Sequence, residues 1–248
     1  MKMKHILNFS SSLCFLLMFT LAQAQKKPTV KSDSLQVADS IPVKKDRYGL
    51  RVGVDLFKLT RGFYDKNYKG VELTGDFRWN KKYYLAAELG NENKTTEDDR
   101  LTSNSKGSYL KAGFDYNMYQ NWLDMENIIS IGLRYGFSSF SEELYSYKIY
   151  NAHPYWGELP ALPTNQKFNG LNASWIEVVT GMKAKMFNNV FVGFSVQLKT
   201  LVTNHKPNGF DNLYIPGFNR TYNGSFGIGF NYSISYFIPL YKKKVITK

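Results

Sequence analysis

The residues best suited to catalysis in this sequence are two histidines, His153 and His205. Polar and acidic residues stand close to them in the chain: Ser141, Glu142, Glu143 and Glu158 near the first, and Asp211 near the second. Nucleophilic and acid–base catalysis both need a base within hydrogen-bond reach of the group it activates. No spacing among these residues marks such a pair, so the sequence predicts no catalytic residue. Two separate histidines without cysteine or acidic partners at ligand spacing also predict no metal site, and no cofactor is expected.

Two aromatic residues, Tyr155 and Trp156, stand out in the same stretch, among prolines that reduce the entropy cost of ordering a loop. Large aromatic side chains often anchor a partner protein or stack on sugar. They equally often pack over a neighbouring structure as a lid or lie at the head-group level of a membrane. Both interpretations of Tyr155 and Trp156 stay open at this point.

A larger set of charged residues recurs every second position, which places them on one face of extended strands. Its members are Arg51, Asp55, Glu72, Asp76, Arg78, Glu88, Lys111, Asp115, Arg134, Glu177, Lys183, Lys185 and Lys199. Paired carboxylates could perform acid–base chemistry, but here cations and anions nearly balance. The simpler interpretation is structural, namely that these residues form ion pairs inside the protein, since an unpaired charge in a poorly hydrated interior is costly.

The elements that carry these charges are eight segments in which apolar and polar residues alternate. Each is long enough to cross a bilayer as a tilted strand of ~9–11 residues. The predicted strands cover residues 48–56, 71–79, 83–90, 109–117, 129–138, 176–185, 190–199 and 226–236. Elsewhere the sequence lacks both sustained helical spacing and an uninterrupted apolar run of ~18 residues, so no helical membrane span is predicted.

The connections between the predicted strands alternate in length. Tight turns are expected at 80–82 and 187–189 and a short link at 119–126, whereas longer loops are expected at 60–69, 91–105, 139–173 and 200–224. This rhythm is typical of outer-membrane barrels. The fold class is therefore predicted as all-β, an eight-stranded antiparallel transmembrane β-barrel. The alternative is ten strands, if 145–150 or 212–215 pair in extra hairpins.

Alternation alone does not show which face meets solvent, because a soluble barrel or sandwich alternates as well. Aromatic residues near strand ends, such as Trp79 and Tyr83, favour lipid outside, as girdles at the membrane interfaces. Glycines recur on the polar face, where a narrow interior has little room. We therefore expect the apolar face to meet lipid and the charged side chains to fill the barrel. No solute pore is expected unless there are more than eight strands.

The N-terminus predicts export. Lys2 and Lys4 precede an apolar run that ends in a small-residue motif at Ala22 and Ala24, as in a cleaved signal peptide covering 1–24. The only cysteine, Cys14, lies near the start of that run, so lipidation is not expected. A polar lead-in at 25–47, a barrel at 48–241 and a basic tail at 242–248 complete the predicted organisation. The net charge of +12 stays basic after cleavage, which in an exported protein favours anionic lipid over nucleic acid.

The aromatic strands, signal and lead-in together resemble the small outer-membrane β-barrel proteins of Bacteroidota, most closely an uncharacterised family. The likeness lies in the stretches 48–55 (YGLRVGVD) and 132–136 (GLRYG), and neither is a catalytic motif. The resemblance implies a non-enzymatic barrel in the outer membrane. It also implies an accessory subunit of a larger envelope complex, such as the barrel-assembly machinery.

The leading hypothesis is therefore a structural or interaction protein with a filled lumen, in contact with outer-membrane lipid and lipopolysaccharide. Its loops at 139–173 and 200–224 are expected to engage an envelope partner. Two alternatives remain: a lipid-modifying enzyme at the rim, which would need His153 or His205, and a narrow channel.

Overall fold

The computed structural model describes residues 44–119, 126–149, 155, 157, 159–207, 209, 211–220 and 224–245. They form eight strands and one helix. The strands are β1 (Lys44–Asp55), β2 (Tyr68–Arg78), β3 (Tyr83–Asp98), β4 (Leu101–Asn117), β5 (Ile128–Tyr147), β6 (Leu162–Phe187), β7 (Val190–Asn204) and β8 (Phe226–Val245), and helix α1 spans Leu56–Tyr64. The expected signal peptide and most of the expected lead-in lie outside the described residues.

Each strand pairs antiparallel with the next, and β8 pairs with β1, which closes the barrel. The register starts with Leu50 opposite Phe77 and, followed from strand to strand, returns to β1 displaced by roughly ten residues, so the strands are tilted against the barrel axis. The prediction of an eight-stranded antiparallel barrel is confirmed. Neither extra hairpin of the ten-strand alternative forms among the described residues: 145–147 belong to β5, and Ile215 makes only an isolated bridge to Asn219.

Apolar side chains cover the outside of the barrel, and we call this surface the apolar belt. On β5, Ile129 to Phe137 are exposed at every second position, and the residues between them are buried. The belt includes Leu50, Val52, Val71, Leu73, Leu85, Leu89, Leu110, Phe114, Ile129, Leu133, Phe137, Ile176, Val178, Val192, Phe194, Leu198, Ile228, Phe230, Ile234 and Ile238. Every strand contributes, so the belt encircles the barrel.

Five strands, β3 to β7, continue past the belt, where long loops were predicted. The expected loop 91–105 is a hairpin of β3 and β4 that turns at 99–100, and β5 and β6 shorten the expected loop 139–173 to 148–161. The expected loop 200–224 loses its start to β7, which runs to Asn204. The cause is that outward residues become polar above the belt, as at Asn91, Ser108 and Ser139, while strand pairing continues. A search for alternating apolar and polar residues therefore does not detect these strand extensions.

At the other end of the barrel, the pairing of β1 with β8 extends further than the sequence predicted. β1 and β8 pair from Lys44 opposite Val245, so part of the expected lead-in and basic tail belongs to the barrel wall. The predicted turns at 80–82 and 188–189 are present, and Asn189 adopts the left-handed conformation (φ 66°) that such a turn favours. We call the end of the barrel that carries these tight turns the turn end, and the opposite end the loop end.

A gap in the wall at the loop end is filled by α1. β1 stops at Asp55, opposite Ser233, whereas β8 reaches Phe226 and β2 reaches Tyr68, so both continue past it. We call this gap the seam and α1 the seam helix. The Asp55 side chain starts the helix by accepting hydrogen bonds from the backbone N–H groups of Phe57 and Lys58.

The seam helix corrects two expectations, namely that 60–69 is a loop and that helical spacing is absent. Its nine residues are too few for a period to stand out against the flanking strands. Phe57 packs on Phe230 of the belt, with ring centroids 4.5 Å apart, while Leu59 and Phe63 are exposed. Among the described residues, no helix is both long and apolar enough to cross a membrane.

Candidate functional site: the charged interior and its closures

The charged residues predicted to share a face line the inside of the barrel. Ten of them are buried: Arg51, Asp55, Glu72, Asp76, Glu88, Lys111, Asp115, Arg134, Glu177 and Lys199. The other three, Arg78, Lys183 and Lys185, are part-exposed and lie towards the turn end. All but Asp55 take part in ion pairs or charge-assisted hydrogen bonds inside the barrel, and Asp55 caps the seam helix.

The cluster nearest the loop end is centred on Lys58, which the seam helix directs into the barrel. Its Nζ lies 2.6 Å from Glu72 Oε2 and 2.8 Å from Glu92 Oε1, and it also contacts the hydroxyl of Tyr109. The Tyr109 hydroxyl donates to Glu72 Oε2 (2.5 Å). Both carboxylate side chains are fully buried. One ammonium group therefore bridges two buried carboxylates from neighbouring strands, and Glu72 has a second cation in Lys111.

Lys58 and Glu92 were not among the residues predicted from the sequence. Glu92 fell in the expected loop 91–105, and Lys58 lay between the predicted strand 48–56 and the expected loop 60–69. For Glu92 a signal was present: it continues the inward series of Glu88 and Gly90. For Lys58 no strand pattern could apply, since a helix carries it. The partner residues Glu72 and Lys111 were among those predicted.

Below this cluster, Lys111 joins carboxylates from three strands. Its Nζ lies 2.8 Å from Glu88 Oε2, 3.3 Å from Glu72 Oε2 and 3.7 Å from Glu177 Oε1. Lys199 adds a second ammonium group 3.4 Å from Glu177 Oε1. Charges from β2, β3, β4, β6 and β7 thus form a continuous network across the interior.

Further towards the turn end the pairing involves aspartates. Asp76 lies 3.1 Å from Arg51 and 2.5 Å from Lys183, and Asp115 lies 2.8 Å from Arg134. The Arg51 guanidinium also stacks over Phe191, 4.4 Å from the ring centroid. These side chains fill the space inside the barrel and also pair their charges there.

The turn end is closed by Glu126, which sequence analysis placed in a short link. Its carboxylate binds Arg47 through two nitrogens and lies 3.1 Å from Lys185, and Arg78 donates to the backbone oxygen of Arg47 (2.7 Å). Burial raises the pKa of Glu126, but the hydrogen bonds from Arg47 and Lys185 outweigh burial and hold that pKa below its ordinary value.

The loop end is closed by residues 212–219, which fold into the barrel and which we call the mouth plug. Glu92 Oε2 accepts hydrogen bonds from the Tyr214 hydroxyl (2.7 Å) and from the backbone N–H of Gly217 (3.0 Å). Lys199 Nζ donates to the Gly217 backbone oxygen (2.8 Å), and Ser105 Oγ donates to that of Tyr214 (2.8 Å). Strand residues from the interior therefore hold the backbone of the plug.

Apolar contacts reinforce the mouth plug. Ile215 and Phe218 are fully buried, and the Phe218 ring meets the indole of Trp175 edge-on at 5.8 Å. The complete cluster is Tyr109, Phe140, Leu171, Ala173, Trp175, Ile215 and Phe218. Gly136 lies directly under the Trp175 ring, where a Cβ atom would collide with it. An interior glycine thus provides the space for the largest side chain of the cluster.

Glu142, like Asp55, has no ion pair among the described residues, and unlike Asp55 it caps no helix. Its Oε1 accepts only a long hydrogen bond from the backbone N–H of Leu213 (3.5 Å), and its Oε2 has no partner. On β5 it lies beyond Phe137, where the belt ends. Burial raises the pKa of Glu142 to about 7, and the hydrogen bond from Leu213 offsets this only in part.

The remaining sequence candidates do not assemble into a site in the described part of the chain. His205 is exposed, Asp211 pairs with Lys206 (2.7 Å), and Ser141 Oγ donates only to the backbone oxygen of Lys106 (3.5 Å). Tyr155 is 86% exposed. Glu143 is part-exposed on the outer face of β5.

Three of the sequence candidates, His153, Trp156 and Glu158, lie outside the described residues. Within the described ranges, no cluster of three or more histidine, cysteine or acidic side chains is arranged to hold a metal ion.

Fold and interior together define the class of this protein: a closed eight-stranded β-barrel with an apolar exterior and a charged interior that is closed at both ends. A family model matches residues 6–243, and its description is a domain of unknown function, DUF6048. The chain belongs to the DUF6048 family. Searches of curated proteins and of solved structures find no significant match.

Proposed function

We propose that this protein is an outer-membrane β-barrel without enzymatic activity, acting as a structural or interaction subunit of an envelope complex. The observation that carries the proposal is the combination of a continuous apolar belt outside with buried ion pairs inside. A water-soluble barrel has the reverse arrangement, with an apolar interior and a charged exterior.

The vertical extent of the belt supports the membrane assignment. On β5 it runs from Ile129 to Phe137, nine residues, which falls within the ~9–11 residues that cross a bilayer as a tilted strand. Trp79 and Tyr83 are exposed beside the turn end, where interfacial aromatic residues are expected. Lys81, Lys82, Lys242 and Lys243 follow at that end and suit anionic head groups.

The filled interior supports a role other than conduction. The network around Lys111 and the aromatic cluster around Trp175 occupy the space through which a solute would pass. An eight-stranded barrel is just wide enough for side chains to fill it. Opening such a path would require several buried charges to lose their partners, at a cost of several kcal/mol for each.

The surface available to a partner lies beyond the belt. β3, β4, β5 and β6 project past it with polar outer faces, and Tyr155 is exposed in the connection between β5 and β6. In this connection the sequence left two interpretations of Tyr155 and Trp156 open, and one of them is an aromatic anchor for a partner protein. We propose that this projecting wall and its loop contact the envelope partner, and the barrel-assembly machinery that the family resemblance implies is the first complex to test.

The test is site-specific photo-crosslinking in native envelopes, with a photoreactive residue at position 155 and a matched probe at Leu133 in the middle of the belt. We expect a protein adduct of defined mass from position 155 and none from position 133, together with a native-gel complex larger than the monomer. Recovery of monomer alone, with no adduct at 155, would contradict the interaction role.

The same preparation tests the other functions. Replacement of His153 and His205 is expected to leave the complex and the lipid composition unchanged, and a change in lipid acylation would favour the rim enzyme. Purified protein in planar bilayers is expected to show no conductance steps, and steady single-channel steps would favour the narrow channel.

A further inference from the structure

The seam helix and the mouth plug meet at one carboxylate. Glu92 Oε1 binds Lys58 of the seam helix at 2.8 Å, and Glu92 Oε2 accepts hydrogen bonds from Tyr214 (2.7 Å) and from Gly217 N–H (3.0 Å) of the mouth plug. These two elements are the non-strand parts that complete the barrel at its loop end. One side chain on β3 therefore holds both.

The link is strong because its groups are removed from water. Glu92 is fully buried and Lys58 is only 8% exposed. If the seam helix moved away, the Lys58 ammonium would leave and Glu92 would remain as a buried anion, which is costly. If the plug moved away, water would reach both Glu92 and Lys58 and weaken their attraction. Each displacement thus lowers the cost of the other.

Tyr109 provides a second connection between the seam helix and the mouth plug. Tyr109 touches Lys58 and donates to Glu72, and its ring lies directly against the Gly217 backbone, where a Cβ atom would collide with it. Gly217 has a positive φ of 82°. The plug is therefore fitted to the position that Tyr109 takes when Lys58 is in place.

We propose that the seam helix and the mouth plug open and close as one unit, with Glu92 as the link. The seam lies in the barrel wall, beside the apolar belt, and the mouth plug lies at the loop end. A molecule that displaces the seam helix from the wall would therefore also release the mouth plug. Coupling of this kind is reciprocal. The proposal concerns the barrel itself and holds whether or not it has a complex partner.

Hydrogen exchange measured by mass spectrometry on the full chain, refolded in detergent micelles, tests the coupling. Two variants perturb the seam helix at different points: Lys58→Met removes the link to Glu92, and Phe57→Ala removes the packing on Phe230 and leaves Lys58 in place. We expect backbone amides of 212–219 to exchange at least tenfold faster in both. The reverse test is Phe218→Ala, which loosens the plug and is expected to accelerate exchange in 57–64.

Lys183→Met is the control, because it removes one interior ammonium group whose partner, Asp76, contacts neither the seam helix nor the mouth plug. It is expected to leave exchange in 212–219 within twofold of the parent. Unchanged plug exchange in Lys58→Met and Phe57→Ala would overturn the proposal, and so would equal acceleration in Lys183→Met, which would indicate general loosening. Heat-dependent gel migration shows whether each variant is folded, and if Lys58→Met is not, Phe57→Ala alone decides.

Discussion

Lys58 Nζ lies 2.8 Å from Glu92 Oε1, which fastens the helix that completes the barrel wall to the strand that holds the plug. The pair matters for stability because both side chains are buried and because Lys58 also neutralises Glu72 at 2.6 Å. Loss of the Lys58 ammonium group leaves the buried negative charges of Glu72 and Glu92 with less positive charge beside them.

We predict that Lys58→Met destabilises the folded barrel by about 3–5 kcal/mol, the usual cost of removing one partner from a buried ion pair. The measurement is urea unfolding in lipid vesicles. Lys81→Met is the control, since Lys81 pairs with Asp46 at 3.3 Å but is 54% exposed, and its loss should cost at most about 1 kcal/mol. Similar costs for the two variants would show that the Lys58 cluster is hydrated.

Gly136→Ala is predicted to destabilise the barrel by about 1–3 kcal/mol, because the added methyl group would collide with the Trp175 ring in a packed cluster. Gly75→Ala makes the same change where the nearest atom is 3.8 Å away, and it should stay within about 0.5 kcal/mol of the parent. The comparison uses the unfolding midpoints of the two variants and the parent. A tolerated Gly136→Ala would mean that the indole lies elsewhere.

Glu142→Gln is predicted to flatten the dependence of stability on pH. Because the folded pKa of about 7 lies above the ordinary value of 4.5, the folded barrel binds the proton more tightly than the unfolded chain does. Stability should therefore fall as pH rises through the window from about 4.5 to 7, by on the order of 3 kcal/mol, and level off above the folded pKa.

The measurement is the free energy of unfolding between pH 4 and 8, and the amide variant should lose this decline. Glu143→Gln makes the same chemical change on the outer face of β5. If both variants flattened the profile equally, burial of Glu142 would not be the cause.

Leu133→Arg is predicted to cost about 2–4 kcal/mol in lipid, because it places a charge in the middle of the apolar belt. Ser139→Arg, on the same face of β5 but beyond the belt, should cost less than about 1 kcal/mol. Folding free energies in vesicles give both values. Equal costs would contradict the position of the belt edge between Phe137 and Ser139.

The barrel itself was predictable because its strands alternate between apolar and charged residues, and that period directly gives the face that each residue occupies. Arg134 and Leu133 are adjacent in sequence, and the structure places one inside and the other outside. Strand order followed from the turns, since Asn80 and Asn189 mark tight connections. The alternation of apolar and polar residues and the turn residues were therefore sufficient to predict the strand faces and the strand order.

The closures at the loop end were not predictable from the same signals. Glu92 and Glu142 lie on strand extensions whose outward neighbours are polar, so no hydrophobic contrast reveals the strand. The helix begins because Asp55 caps it, which is a local effect of one side chain. The plug is placed by long-range hydrogen bonds to Glu92 and Lys199, and these depend on the closed barrel.

The central claim, that the apolar belt meets lipid around a charged and filled interior, is tested most directly by envelope fractionation combined with gel migration. We predict that the protein stays in the outer-membrane fraction after alkaline washing and migrates faster unheated than boiled, as a folded barrel does. Release into the alkaline wash, or a monodisperse folded protein in detergent-free buffer, would contradict the claim.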